Sequence, residues 1–228
     1  LRSVTPGLSK TSTTTSQTRA CNQFSTTICM FKLLSVTSRT LCKEDFLARV
    51  GAICAAGIDG IILREKDLSE VSYRSLASDV LQICRDRETP CALHTYPAAA
   101  QQLHAKALHL PLHAFLALGE AEKRAFPTIG VSCHSLDDVM AAQEGGCSYV
   151  TLGHIFATDC KMGLPGRGLA FLSEVCRHAS VPVYAIGGID KDNIARVRDA
   201  GASGACIMSG LMACPNPAAY LEELHHAL

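Results

Sequence analysis

Residues 128–155 read TIGVSCHSLDDVMAAQEGGCSYVTLGHI. Two short apolar runs, 128–134 and 148–155, flank a segment whose apolar residues recur every three or four positions. Ser135 stands where a helix N-cap is expected, and Gly145 stands where the helix would end. The stretch therefore predicts a buried strand, a helix and a second buried strand, which is the repeating unit of a parallel α/β fold.

The same alternation runs through the chain from Met30 onward. The apolar runs are 31–37, 59–64, 90–95, 106–112, 128–134, 148–155, 182–189 and 203–209, and the helical segments are 43–56, 69–87, 97–104, 114–125, 136–145, 168–179, 190–200 and 215–227. Eight such units predict one (β/α)8 TIM barrel over residues 30–228. A doubly wound open sheet is the alternative, but the glycine-rich run 163–168 lacks the spacing of its phosphate fingerprint.

Composition excludes several classes of protein. The chain has 228 residues, 48% of them hydrophobic, and its 21 basic residues balance its 21 acidic ones, which argues against a nucleic-acid or membrane-surface partner. No apolar run approaches the roughly 18 residues of a membrane span. We expect a cytoplasmic protein whose 12 cysteines are mostly reduced, buried thiols. The His109–His113 spacing has no companion ligand nearby, so we expect no metal site there.

Residues 1–29 differ from the rest of the chain because they are polar, rich in Ser and Thr, and aperiodic. This pattern predicts a disordered leader. It is compatible with a transit peptide, although we favour an extension introduced by cloning or by a misassigned start, with Met30 as the natural first residue.

His134 is the leading catalytic candidate. It ends a predicted barrel strand, and the carboxyl ends of barrel strands converge on the functional mouth. An imidazole titrates near neutrality and is suited to moving a proton, although a structural histidine is the alternative. His94 and His154 are weaker candidates, and Cys133 should face the helices because it alternates with Ser132 and His134.

Two groups of residues are candidate anion sites. Gly187, Gly188 and Ser209 close strands seven and eight, where barrels commonly bind phosphate, although plain tight turns are the alternative. Arg64 and Lys66 follow strand two and suit a second anion, unless they form a surface charge cluster in which Glu65 neutralises one of them. Lys161, on the loop after strand six, adds a third positive charge.

With these residues identified, the chain resembles the thiamine phosphate synthase/TenI family of barrels over most of 31–228. The segments that carry the resemblance are 63–66 (LREK), 132–135 (SCHS), 153–161 (GHIFATDCK), 185–189 (AIGGI) and 208–210 (MSG). Within the family the sequence is more similar to the TenI branch of thiazole tautomerases. Synthases of the family carry an Asn-Asp pair and a Gln-x-Asp element that hold Mg²⁺, whereas this chain has His94-Thr95 and Leu112-His113-Ala114 at those places.

The resemblance implies a metal-independent thiazole tautomerase that needs no cofactor and converts a dearomatised thiazole phosphate carboxylate to its aromatic form. His134 would move the proton, and the substrate-binding residues would be Arg64, Lys66, Ser132, Thr158, Lys161, Gly187, Gly188, Met208 and Ser209. The alternatives are a thiamine phosphate synthase and a silent thiazole- or thiamine-phosphate-binding regulator. We also expect a homodimer and transient contact with the thiazole synthase that supplies the substrate. The roles of His94, His109, His113 and His154 stay open.

Overall fold

The computed structural model describes residues 1, 30–158 and 163–228. Its eight parallel strands close into a barrel in sequence order, each hydrogen-bonded to the next and the last to the first. The strands are β1 (Lys32–Val36), β2 (Gly60–Leu63), β3 (Cys91–His94), β4 (Ala107–Pro111), β5 (Thr128–Cys133), β6 (Tyr149–Gly153), β7 (Val183–Ile186) and β8 (Gly204–Ile207). The single TIM barrel predicted from the sequence is therefore confirmed, and each strand lies inside its predicted run.

Helices follow every strand within the described ranges. They are α1 (Phe46–Ala55), α2 (Glu70–Asp86), α3 (Pro97–Gln102), α4 (Leu112–Ala117), α5 (Glu120–Arg124), α6 (Leu136–Glu144), α7 (Gly168–His178), α8 (Ile194–Asp199), α9 (Ser209–Ala213) and α10 (Pro217–His226), with a 3₁₀ turn at Arg39–Leu41. Ser135 caps α6 as predicted, and Ser69 caps α2; each accepts a backbone N–H through its hydroxyl oxygen.

Three helix predictions were wrong in detail. The segment 114–125 is two helices, because Leu118 is extended and Gly119 starts α5 with its N–H bound to the Glu122 carboxylate. The helix predicted from 190 begins at Ile194, because Asp190 and Asn193 close a turn first. The short helix α9 was not predicted, because Ser209 was expected in a turn that closes strand eight.

The core is a shell between the strands and the surrounding helices. Outward-facing strand residues such as Leu33, Leu93 and Cys133 are fully buried against the helices, so Cys133 faces away from the barrel interior as predicted. Inward-facing residues form the barrel interior, where Val36, Ile62, Ala92 and Cys206 make a smaller apolar cluster. This shell fixes the strand ends that form the mouth.

Three further expectations concern the leader, the cysteines and membrane-spanning helices. The predicted leader 1–29 lies outside the described residues except for Leu1. The cysteines in the described ranges are unpaired, and most of them are buried. Among the described helices, none combines the length and apolar character that crossing a bilayer requires.

Candidate functional site

A cavity of about 290 Å³ opens at the carboxyl ends of the strands. This is a size typical of small-ligand sites, and the position is the one at which TIM barrels bind substrates. Nine of the residues predicted to form the site border it, namely Arg64, Lys66, Ser132, His134, Thr158, Gly187, Gly188, Met208 and Ser209. The tenth, Lys161, lies outside the described residues. Residues from distant parts of the sequence are thus brought to one mouth.

His134 projects from the end of β5 with a defined ring orientation. Its backbone N–H donates to the Asp138 carboxylate at 2.6 Å, and this ties the strand end to the first turn of α6. Its Nδ1 lies 2.8 Å from the carbonyl oxygen of Gly153. A carbonyl only accepts, so Nδ1 carries the hydrogen of this bond. This hydrogen bond therefore fixes the orientation of an imidazole that borders the cavity.

The turn after β7 approaches the loop after β6 very closely. Gly187 and Gly188 both have positive φ, of 101° and 65°. A Cβ on Gly187 would lie 2.4 Å from Cβ of His154, and a Cβ on Gly188 would lie 2.4 Å from the carbonyl oxygen of Ala157. Only glycine satisfies both the backbone conformation and this contact. The wall of the cavity on this side is consequently backbone, which suits binding of a phosphate by N–H groups.

Arg64 and Lys66 border the cavity, but Glu65 between them is directed elsewhere. Glu65 is 4% exposed, and its carboxylate accepts hydrogen bonds from the Thr37 hydroxyl at 2.7 Å and from the Arg39 backbone N–H. The carboxylate therefore ties the ends of β1 and β2 together. The two basic residues give this part of the mouth a positive charge that favours an anionic group.

The floor of the cavity is polar on the side of β3 to β6. His94 and His109 are buried with stacked rings whose centroids are 5.5 Å apart, and both border the cavity. Burial lowers the pKa of His109 to about 3, and burial together with His109, Arg64 and Lys66 lowers the pKa of His94 to about 2. Both imidazoles are thus neutral at physiological pH.

Sequence reasoning did not place His109 and Thr151 in the site, although both border the cavity. The signal was available in strand alternation, because His109 shares a face with Pro111 and Thr151 shares one with Gly153. His113 was grouped with His109 by spacing, but it lies exposed on α4, whereas His109 points into the barrel. Within the described ranges, no three His, Cys, Asp or Glu side chains come together as a metal site would require.

Comparison with known proteins identifies the family of the chain. The family model described as thiamine monophosphate synthase (TMP-TENI) matches residues 33–211. Thiamine-phosphate synthase from Thiobacillus denitrificans is 30% identical over 84% of this chain and 92% of its own length. The thiamine biosynthesis bifunctional protein ThiED of Geobacter sulfurreducens is 31% identical over 79% of this chain, which spans only 37% of that protein.

Among solved structures, thiamine phosphate pyrophosphorylase from Pyrococcus furiosus superposes with a TM-score of 0.75 at 26% identity, covering 86% of this chain and 95% of the other. The barrel, the cavity at its mouth and these relatives lead to one conclusion. The chain belongs to the thiamine monophosphate synthase (TMP-TENI) family of thiamine biosynthesis.

Proposed function

We propose that this protein is a thiazole tautomerase that converts the dearomatised thiazole phosphate carboxylate to its aromatic isomer. The observation that carries the proposal is His134, whose Nδ1–H is held by the carbonyl of Gly153 while Nε2 is left as a base beside the cavity. A positioned imidazole of this kind contributes about 10²- to 10⁴-fold to a proton transfer.

The reaction moves one proton. Nε2 of His134 takes the hydrogen from the ring carbon, the electron pair shifts the exocyclic double bond into the ring, and the resulting imidazolium returns a proton to the exocyclic carbon. Atoms and charge balance without a redox partner. Aromatisation makes the conversion favourable, so the protein has only to lower the barrier by holding substrate and base together.

The two anionic ends of this substrate match the two anion-favouring parts of the mouth. The phosphate would lie on the backbone turns at Gly187 and Gly188 with the Ser209 hydroxyl beside them. The carboxylate would pair with Arg64 or Lys66 at the end of β2. His134 follows strand β5, which lies opposite β1 in the closed barrel. A ligand that extends from the end of β7 to the end of β2 would therefore face the imidazole.

The cavity does not fit the Mg²⁺ that synthases of the family use. Mg²⁺ prefers oxygen ligands and usually takes one or two carboxylates. Among the described residues that border the cavity there is no Asp or Glu, and β3 and β4 present the neutral imidazoles of His94 and His109. The Glu65 carboxylate is committed to Thr37 and Arg39. The proposed proton transfer therefore involves no metal.

Thiamine phosphate synthase is the second candidate, and the names of the curated relatives favour it. A protein named thiamine-phosphate synthase 2 from Streptococcus pneumoniae is 29% identical over 81% of this chain. A synthase would couple pyrimidine pyrophosphate to thiazole phosphate, which releases pyrophosphate and depends on Mg²⁺.

One pair of assays on the full chain separates the candidates. The tautomerase proposal predicts rapid spectroscopic conversion of the thiazole tautomer that is unchanged by EDTA, and no coupling of pyrimidine pyrophosphate with or without Mg²⁺. Mg²⁺-dependent coupling without tautomer conversion would replace the proposal with the synthase. Tight binding of the aromatic thiazole phosphate with neither reaction would identify a silent binding protein instead.

A further inference from the structure

The rings of His109 and Tyr149 approach each other inside the barrel over Gly130, which lies between them. His109, Gly130 and Tyr149 are register partners on β4, β5 and β6. A Cβ on Gly130 would lie 2.1 Å from Cζ of Tyr149 and 2.5 Å from Nδ1 of His109, so a larger residue would occupy the space of this contact. Through the gap, Nδ1 of His109 and the Tyr149 hydroxyl make a hydrogen bond of 3.0 Å.

The chain of hydrogen bonds continues from this pair to the cavity. Nε2 of His109 lies 2.9 Å from Oγ of Ser132, which is two residues beyond Gly130 on the same face of β5. Ser132 borders the cavity, and the Thr151 hydroxyl also donates to its Oγ at 3.5 Å. The phenol of Tyr149 is thus linked through one imidazole to a hydroxyl that a ligand can reach.

The direction of the hydrogen bonds follows from the groups at the buried end. The Tyr149 hydroxyl has no acceptor but Nδ1 of His109 among the described residues, so it donates there. The imidazole of His109 is neutral and carries one hydrogen, which must then be on Nε2. Nε2 lies 2.9 Å from Oγ of Ser132 and 3.4 Å from Oγ1 of Thr151, so the shorter bond is the one to Ser132. Since His109 and Thr151 both donate to Oγ of Ser132, the serine's own hydrogen is left to point into the cavity.

We infer that Tyr149 and His109 are positioning residues that fix Ser132 as a hydrogen-bond donor toward an uncharged acceptor atom of the ligand. On the proposed function, on which this choice of acceptor rests, that atom is the thiazole ring nitrogen, which has a lone pair available to accept. The adjacent imidazoles of His94 and His109 carry no charge, so this wall favours the neutral ring, and the anionic ends bind elsewhere in the mouth.

The test begins on the ligand-free full chain with ¹⁵N NMR of the histidine rings. We expect His109 as the Nε2–H tautomer in the wild type, and loss of that single tautomer in Tyr149→Phe, which keeps the ring but removes the donor. The matched control is Tyr184→Phe, which removes the hydroxyl of a neighbouring interior tyrosine that contacts Tyr149 edge-on. An Nδ1–H tautomer in the wild type, or an unchanged tautomer in Tyr149→Phe, would overturn the inference.

The second part measures binding of the aromatic thiazole phosphate carboxylate by calorimetry. Ser132→Ala and Tyr149→Phe should each weaken binding about three- to tenfold, as expected for one hydrogen bond. In the Ser132→Ala background, Tyr149→Phe should have no further effect on affinity, because it acts through Ser132. Equal losses in both backgrounds would mean that Tyr149 has a general structural role.

The NMR and calorimetry experiments test different claims, so each can give a contrary result without the other. Absence of binding by the wild type would overturn the choice of the thiazole ring, together with the proposed function. The tautomer of His109 is read without ligand or turnover, so it decides the positioning claim even if the protein catalyses another reaction.

Discussion

The barrel interior has an apolar half and a hydrogen-bonded half. On the side of β8, β1 and β2, Cys206, Val36 and Ile62 pack together and are almost fully buried. On the side of β4 to β6, His109 and Tyr149 are joined by hydrogen bonds that lead to the cavity. Burial alone stabilises the apolar half, whereas every buried polar group in the other half needs a partner. The polar half is therefore the half that should be more sensitive to substitution.

The largest expected effect is on stability in acid. The folded pKa values of His94 and His109, about 2 and about 3, lie well below the value of about 6.5 for an unfolded chain. Between these values the unfolded state binds more protons, so the free energy of unfolding falls as pH drops below about 6.5. The two histidines together should cost about 5 kcal/mol between pH 6.5 and 4.5, at about 1.4 kcal/mol per pH unit each.

Urea unfolding at several pH values measures this slope. In His109→Gln, the fall in the free energy of unfolding between pH 6.5 and 4.5 that the two histidines cause should be about half as large. In the exposed control His113→Ala it should be unchanged. The same slope in all three proteins would show that the buried imidazoles are not the source of the acid sensitivity.

The next effect distinguishes two strand glycines. In Gly130→Ala the new Cβ would lie 2.1 Å from the Tyr149 ring, which is itself enclosed by His109 and Tyr184. Overpacking of this kind should lower the free energy of unfolding by about 1–3 kcal/mol. In Gly60→Ala on β2, in the other half, the Cβ would lie 3.0 Å from the flexible end of Leu34 and 3.4 Å from the backbone oxygen of Pro90, so the loss of stability should be smaller than in Gly130→Ala. Similar denaturation midpoints for both variants would contradict the comparison.

The smallest effect belongs to the apolar half. Ile62→Val removes one buried methyl group and should cost about 1 kcal/mol of unfolding free energy without changing the pH slope. Val71→Ala, on an exposed position of α2, is the control and should leave stability within about 0.5 kcal/mol. A changed pH slope in Ile62→Val would mean that the two halves are coupled.

Most of the fold was predictable because strands buried on both faces leave continuous apolar runs. The split between α4 and α5 was not predictable from periodicity, since the apolar pattern continues across Leu118, although its extended backbone ends α4 and the bond from Gly119 to Glu122 starts α5. The helix α9 was missed because five residues are too few to show a helical period.

The residues at the strand ends were predictable from their position, and the floor of the cavity was not. His134 and Gly187 follow apolar runs, so topology alone brings them to the mouth. The contact between His109 and Tyr149 depends on strand register, which places Gly130 between them, and register is not visible in a single strand. The orientation of the Glu65 carboxylate likewise depends on hydrogen bonds from Thr37 and Arg39, which follow the neighbouring strand β1.

The central claim is that His134 moves the proton in a thiazole tautomer conversion. The most direct test is the single-turnover rate of that conversion in wild type and His134→Ala, with product affinity measured alongside. We predict a loss of at least about 10²-fold in rate while the aromatic product still binds. An unchanged rate in His134→Ala would contradict the account.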